Sequence, residues 1–183
     1  MIRLNALKPE ESTGKTKELF DGIQSKLGMV PNMMRTMGNS SAVLAGYLNL
    51  SGALSQGKLS AKLGELIALT VAETNACNYC LSAHTFIGSK LVGIDDESLN
   101  SAREASNADS RIEVALIFAR TLVEKQGRVT DEDVRAVLMA GYTAGEVSEI
   151  VAHVALNIFT NYFNNTANTE IDFPEVKATV FAV

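Results

Sequence analysis

Between about residue 12 and residue 165 the apolar side chains recur three and four positions apart, the spacing at which a helix buries one stripe. No two alternating runs are joined by an Asn-Gly or Asp-Gly turn of the hairpin kind. The three prolines, Pro9, Pro31 and Pro174, all fall outside the helical patterns. This periodicity restricts the chain to an all-α fold, with about eight helices expected. The first is expected over 12–27, with Leu19, Phe20, Ile23 and Leu27 on its stripe, and Gly28 and the Pro31-Asn32 pair end it. The second covers 40–56. Ser60 caps a third over 61–74, and Asn75 is expected to cap a fourth over 76–92 that stops at Gly93. A short fifth helix runs from Asp95 to Ala105, and a sixth covers 109–126. Thr130 with Asp133, and Thr143 with Glu146, read as capping boxes opening a seventh helix, to Met139, and a long eighth, to about residue 165. From Ile171 onward the tail reads as irregular. No linker or fixed-period repeat divides the chain, so residues 1–183 are expected to form a single domain with its core motif at 60–93.

Composition narrows the function classes. Hydrophobic residues make up 46% of the 183 and charged residues 20%, a globular balance that excludes a disordered or collagen-like chain. A net charge of −5 leaves no broad basic face for nucleic acid. No apolar run approaches the roughly 18 residues of a membrane span, and the N-terminus lacks the apolar core of a secretory signal. The reading is a cytoplasmic chain without nucleic-acid or membrane partners. Two cysteines cannot build a disulfide framework, so the fold must rest on packing.

The same scarcity localises any thiol or imidazole chemistry. Both cysteines and one of the two histidines fall in Cys77-Asn78-Tyr79-Cys80-Leu81-Ser82-Ala83-His84. At about 100° per residue, Cys77, Cys80 and His84 project from one face of one helix. With Asn75 as the cap, both thiols lie within the first two turns. Unpaired N–H groups and the positive end of the helix dipole favour a thiolate there. A neighbouring imidazole can take the thiol proton, and a Cys-x-x-Cys pair can close a disulfide reversibly. Three other readings compete. The cysteines could be core filler. They could form a zinc site with His84 and a fourth ligand from His153 or Glu65. They could belong to a thioredoxin-like motif, which the all-α pattern opposes. Glu65 lies mid-helix in the apolar stretch Gly64-Glu65-Leu66-Ile67. Packed beside His84, its carboxylate would hold the imidazole tautomer and strengthen it as a base.

Glu65, then Cys77, Cys80 and His84, resembles the Glu-x11-Cys-x-x-Cys-x-x-x-His signature of the alkylhydroperoxidase D family, in the carboxymuconolactone decarboxylase-like superfamily. Val30-Pro31-Asn32-Met33-Met34 and Leu156-Asn157-Ile158-Phe159-Thr160-Asn161-Tyr162-Phe163-Asn164 are similar to its peroxidase-related branch. The resemblance implies an all-helical fold assembling as a homo-trimer or homo-hexamer. It implies hydroperoxide reduction with Cys80 as the attacking thiol, Cys77 as the resolving thiol, and His84 and Glu65 as a proton relay. It also implies a dithiol or lipoyl-protein reductant, with no cofactor and no metal. One position departs from the family: Tyr79 stands where its best-studied members carry a histidine. Decarboxylase members generally lack the cysteine pair, so lactone decarboxylation ranks low. A metal-binding or redox-sensing oligomer without turnover is the alternative.

The remaining polar residues read more blandly. His153, in an apolar helical stretch, is expected to be a satisfied core histidine. Asn157, Asn161, Asn164, Asn165 and Asn168 are expected to hydrogen-bond at a helix or subunit interface, with lining of the pocket as the alternative. Met33, Met34 and Met37 are expected to be flexible packing. Apolar residues on more than one face of the second and eighth helices point to subunit contacts there.

Overall fold

The computed structural model describes residues 1–179. The described residues form nine α-helices: α1 (Gly14–Leu27), α2 (Asn32–Met37), α3 (Ser41–Leu54), α4 (Ala61–Thr74), α5 (Asn78–Ile87), α6 (Asp96–Arg103), α7 (Ser110–Glu124), α8 (Asp131–Met139) and α9 (Ala144–Ala167). A 3-10 turn, Pro9–Glu11, precedes them, and a π turn, Gly88–Val92, prolongs α5. There are no strands among the described residues, as the periodicity requires. No described helix is long and apolar enough to cross a membrane.

The centre of the fold is α4. Nine of its fourteen residues are buried, including Leu66, Ile67, Leu69 and Val71. It packs against α5, α6, α7 and α9, so it buries nearly its whole circumference rather than one stripe. Phe20 of α1, Leu44 of α3, Leu116 of α7, Val137 of α8 and Ile150 of α9 complete one contiguous apolar cluster with it. Both capping boxes form as read, Thr130 with Asp133 and Thr143 with Glu146. The predicted stripe on α1 holds at Phe20 and Ile23, whereas Leu27 lies exposed at the last turn.

Two local corrections matter for the site. First, α2 is a ninth helix where the sequence reading placed only a helix stop. At six residues it is too short to show a period. Its opening N–H groups are bound by residues distant in sequence. Asn32 N–H donates to Asp172 Oδ2 at 2.8 Å and Met33 N–H to the Tyr79 hydroxyl at 3.1 Å.

Second, Asn75 does not open α5; it closes α4. Ala76 follows at φ +48°, in the left-handed region. Cys77 N–H donates to Ala72 O at 2.9 Å and Ala76 N–H to Glu73 O at 3.0 Å, a Schellman closure built on alanine rather than glycine. The helix cap is therefore Cys77 itself, two residues later than expected.

The irregular tail expected from Ile171 is irregular as far as Thr179, and its last four residues lie outside the described residues. It is nevertheless tied down along α5. Val176 N–H donates to Ser82 Oγ at 2.9 Å, and Ala178 N–H to Asn78 Oδ1 at 2.9 Å. Phe173 meets the Tyr79 ring edge-on at a centroid distance of 5.9 Å.

Candidate functional site

Cys77 and Cys80 are joined as a disulfide, with their Cα atoms 5.3 Å apart, within the ordinary range for such a bond. The α4–α5 corner positions them. Cys77 sits at the cap in an extended conformation, and Cys80 is three residues on, in the first turn of α5. The sulfur of Cys77 acts where a serine or aspartate oxygen would, accepting the Cys80 N–H at 3.3 Å. A thiolate at Cys77 is thus stabilised by a helix-terminal amide and by the dipole of α5. Only Cys80 and His84, four apart, share a helical face in the strict sense. Cys77 reaches the same site through the corner's reversal, not through helical spacing.

One turn beyond Cys80, His84 Nδ1 stands 2.8 Å from Glu65 Oε2. Nineteen residues separate them in sequence, and the packing of α4 against α5 brings them together. Both are half-buried, with 23% and 19% of their side chains exposed. An ionised carboxylate only accepts hydrogen bonds, so a neutral imidazole paired with it carries its proton on Nδ1 and leaves Nε2 as the base. The sulfurs lie deeper: Cys77 is fully buried and Cys80 only 2% exposed. A graded site results, with closed sulfurs inside and a carboxylate–imidazole pair reaching toward the surface.

Three neighbours of this set were not legible as such in the sequence. Asn164, on α9, is buried and directs its Nδ2 to Cys80 Sγ at 3.4 Å. Tyr47 stands on α3. Burial, reinforced by the Glu65 charge, pushes its phenol up to about 12, so it stays protonated at neutral pH. Tyr79 has its hydroxyl engaged by Met33 N–H. Its phenol is pushed up chiefly by burial, with the charge of Asp172 adding to the effect. The residue in the family histidine's place therefore anchors α2.

The other polar expectations resolve simply. Asn161 Oδ1 accepts from Asn75 Nδ2 at 3.0 Å, and Asn165 Nδ2 donates to Asn75 O at 3.0 Å. This part of the asparagine cluster therefore stitches α9 to the α4–α5 corner, a helix interface. His153 lies against Gly64, where an added Cβ would stand 3.3 Å from its ring. Burial lowers its pKa, opposed by the charges of Glu149 and Glu65. Met33 and Met37 are buried packing residues of α2. Among the described residues no group of three or more His, Cys, Asp or Glu side chains is placed to hold a metal ion.

Comparison with known proteins agrees with this architecture. Residues 41–125 match the family model of the carboxymuconolactone decarboxylase family. No curated protein sequence matches the chain. Among solved structures, an uncharacterized peroxidase-related protein from Ralstonia eutropha JMP134, described as an alkylhydroperoxidase AhpD core, superposes with a TM-score of 0.80 at 22% identity, covering 93% of this chain and 92% of that one. An uncharacterized peroxidase-related protein from Silicibacter sp. TM1040 gives 0.78 at 24% identity, covering 91% of each chain. The debrominase Bmp8, whose structures include a cysteine-to-alanine variant in complex with 2,3,4-tribromopyrrole, gives 0.78 at 21% identity, over 92% of this chain and 91% of that one. The family match thus spans the segment that carries Glu65, Cys77, Cys80 and His84, and the chain shares the helical architecture of an alkylhydroperoxidase AhpD core.

Proposed function

We propose that the protein reduces hydroperoxides through the Cys77–Cys80 pair, with His84 and Glu65 as its proton relay. The observation that carries this reading is a disulfide at the start of α5 on the same helix as an imidazole whose Nδ1 is held by a carboxylate. In the reduced protein the Cys80 thiolate attacks one peroxide oxygen. The O–O bond breaks, sulfur is oxidised by two electrons to a sulfenic acid, and the alkoxide leaves with a proton from the His84–Glu65 pair. The Cys77 thiolate then attacks the Cys80 sulfur. An S–S bond forms, the S–O bond breaks, and the oxygen departs as water after taking a proton. A dithiol, such as a lipoyl group on a partner protein, returns both electrons by exchange. Because the sulfurs are buried, a dithiol that resolves its own mixed disulfide suits the site better than a monothiol.

The test is hydroperoxide consumption with dihydrolipoamide, comparing the wild type with Cys80→Ser, Cys77→Ser and Glu65→Gln. Expected outcomes are loss of turnover in both cysteine variants and a fall of about 100-fold in Glu65→Gln, within the usual range for general acid–base contributions. Turnover that survives Cys80→Ser refutes the assignment. The debrominase is similar in fold, and 2,3,4-tribromopyrrole serves as the comparison substrate for thiol-driven dehalogenation. We also propose a homo-trimer or homo-hexamer assembled through α3 and α9, where Leu50, Val151, Phe159 and Tyr162 are exposed. Sedimentation as a stable monomer would contradict it.

A further inference from the structure

We propose that Asn164 is a catalytic hydrogen-bond partner of Cys80, donating to its sulfur as thiolate and accepting from it as sulfenic acid. The proposal rests on the thiol chemistry above. Asn164 lies in the last turn of α9, 84 residues from Cys80, and no helical period or motif spacing links the two. Its Nδ2 is 3.4 Å from the sulfur and the residue is 2% exposed. Its Oδ1 is also buried, and it has no hydrogen-bond partner among the described residues. A buried amide with one end on a sulfur and the other end unmatched costs stability, and an apolar residue there would pack without that cost. Such groups concentrate where chemistry rather than packing sets the residue.

The helix backbone that carries the amide is fixed on both sides of Asn164. Along the same face of α9, Asn161 Oδ1 takes the Asn75 side-chain N–H. The backbone carbonyl of Asn164 accepts from Asn168 and Thr169 at the helix end. The two sulfurs thus receive different donors. Cys77 has a main-chain amide, the Cys80 N–H at 3.3 Å, and Cys80 has a side-chain amide. Only the donor on Cys80 carries an unmatched acceptor on the same group. In the reduced protein the Asn164 N–H stabilises the Cys80 thiolate. After oxygen transfer the free Oδ1 can accept the sulfenic O–H, holding the oxygen while Cys77 attacks the sulfur and the oxygen leaves as water. Asn164 itself gains and loses no proton.

The test titrates each sulfur separately. Fully reduced proteins are alkylated with iodoacetamide across pH, and the modified cysteine is read by mass spectrometry. Cys80 is followed in a Cys77→Ser background and Cys77 in a Cys80→Ser background. Asn164→Ala is expected to raise the Cys80 midpoint by about one pH unit, a tenfold change in its thiolate equilibrium. Asn164→Asp is expected to raise it further through like charge. The Cys77 midpoint should stay put in both. Thermal melting reports folding, and Asn164→Ser, which keeps a small polar group, replaces any variant that melts early. An unchanged Cys80 midpoint, or equal shifts at Cys77 and Cys80, overturns the proposal whatever the peroxide activity. Wild type that titrates as expected yet consumes no hydroperoxide overturns the peroxidase reading instead, and leaves the Asn164 contact established.

Discussion

The short helix α2 depends on Asp172, and that dependence can be measured. The carboxylate at Oδ2 accepts the Asn32 N–H at 2.8 Å, across 140 residues of sequence. The next amide, of Met33, is taken by Tyr79, so two of the orphan donors of α2 are capped from outside the segment. A six-residue helix has no reserve of internal hydrogen bonds with which to offset their loss. Removing a cap costs about 0.5–2 kcal/mol, and a hydrogen bond to a charged group in a partly buried place stands at the upper part of that range. Asp172→Ala should therefore lose about 1–2 kcal/mol, or about 2–8 °C in melting temperature for a chain of this size. Asp172→Asn keeps an acceptor without the charge and should lose about half as much. The assay is urea unfolding, joined to amide exchange at Asn32 and Met33, whose protection should fall well before that of α4. Two results would refute the reasoning: a loss below about 0.5 kcal/mol in Asp172→Ala, which sits within the scatter of ordinary surface changes, or equal losses in the Ala and Asn variants.

Two other expectations follow from single residues. Ala76→Gly removes a left-handed alanine, a cost of about 1–2 kcal/mol, and adds about 0.5–1 kcal/mol of glycine chain entropy, so it should leave the protein unchanged or up to about 1.5 kcal/mol more stable by urea unfolding; a clear destabilisation would show that the corner is not strained. Burial lowers the pKa of His153 from 6.5, so below pH 6.5 the unfolded chain binds more protons than the folded one, and this residue subtracts stability as pH falls from 6.5 toward its folded value, with no effect above. His153→Gln should flatten the urea midpoint between about pH 7 and about pH 5, and an unaltered slope would refute the assignment.

Much of the site was legible because its members lie close in sequence or carry rare chemistry. The cysteine pair, His84 and the order in which they follow Glu65 needed no coordinates to be singled out. The misplaced cap has a simple cause. Asparagine suits both a helix start and a helix end, and the Schellman turn at Ala76 lacks the glycine that normally announces it. Asn164 was recognisable only as one of a cluster, since its approach to Cys80 depends on how α9 crosses α5.

What the sequence alone determined is the set of local, repetitive facts: helices from apolar period, stops from glycine and capping residues, and a redox-capable pair from two cysteines three apart. These are set by interactions within a few turns of chain, and they survive any rearrangement of the helices. The tertiary structure decided which groups share a site. It brought Glu65 to His84 across nineteen residues and Asn164 to Cys80 across 84, and it capped α2 with Tyr79 and Asp172. It also turned Cys77 from a helix-face residue into the cap of α5. Those contacts arise from how the helices and the tail pack on one another, a non-local optimum of packing that no window of sequence contains.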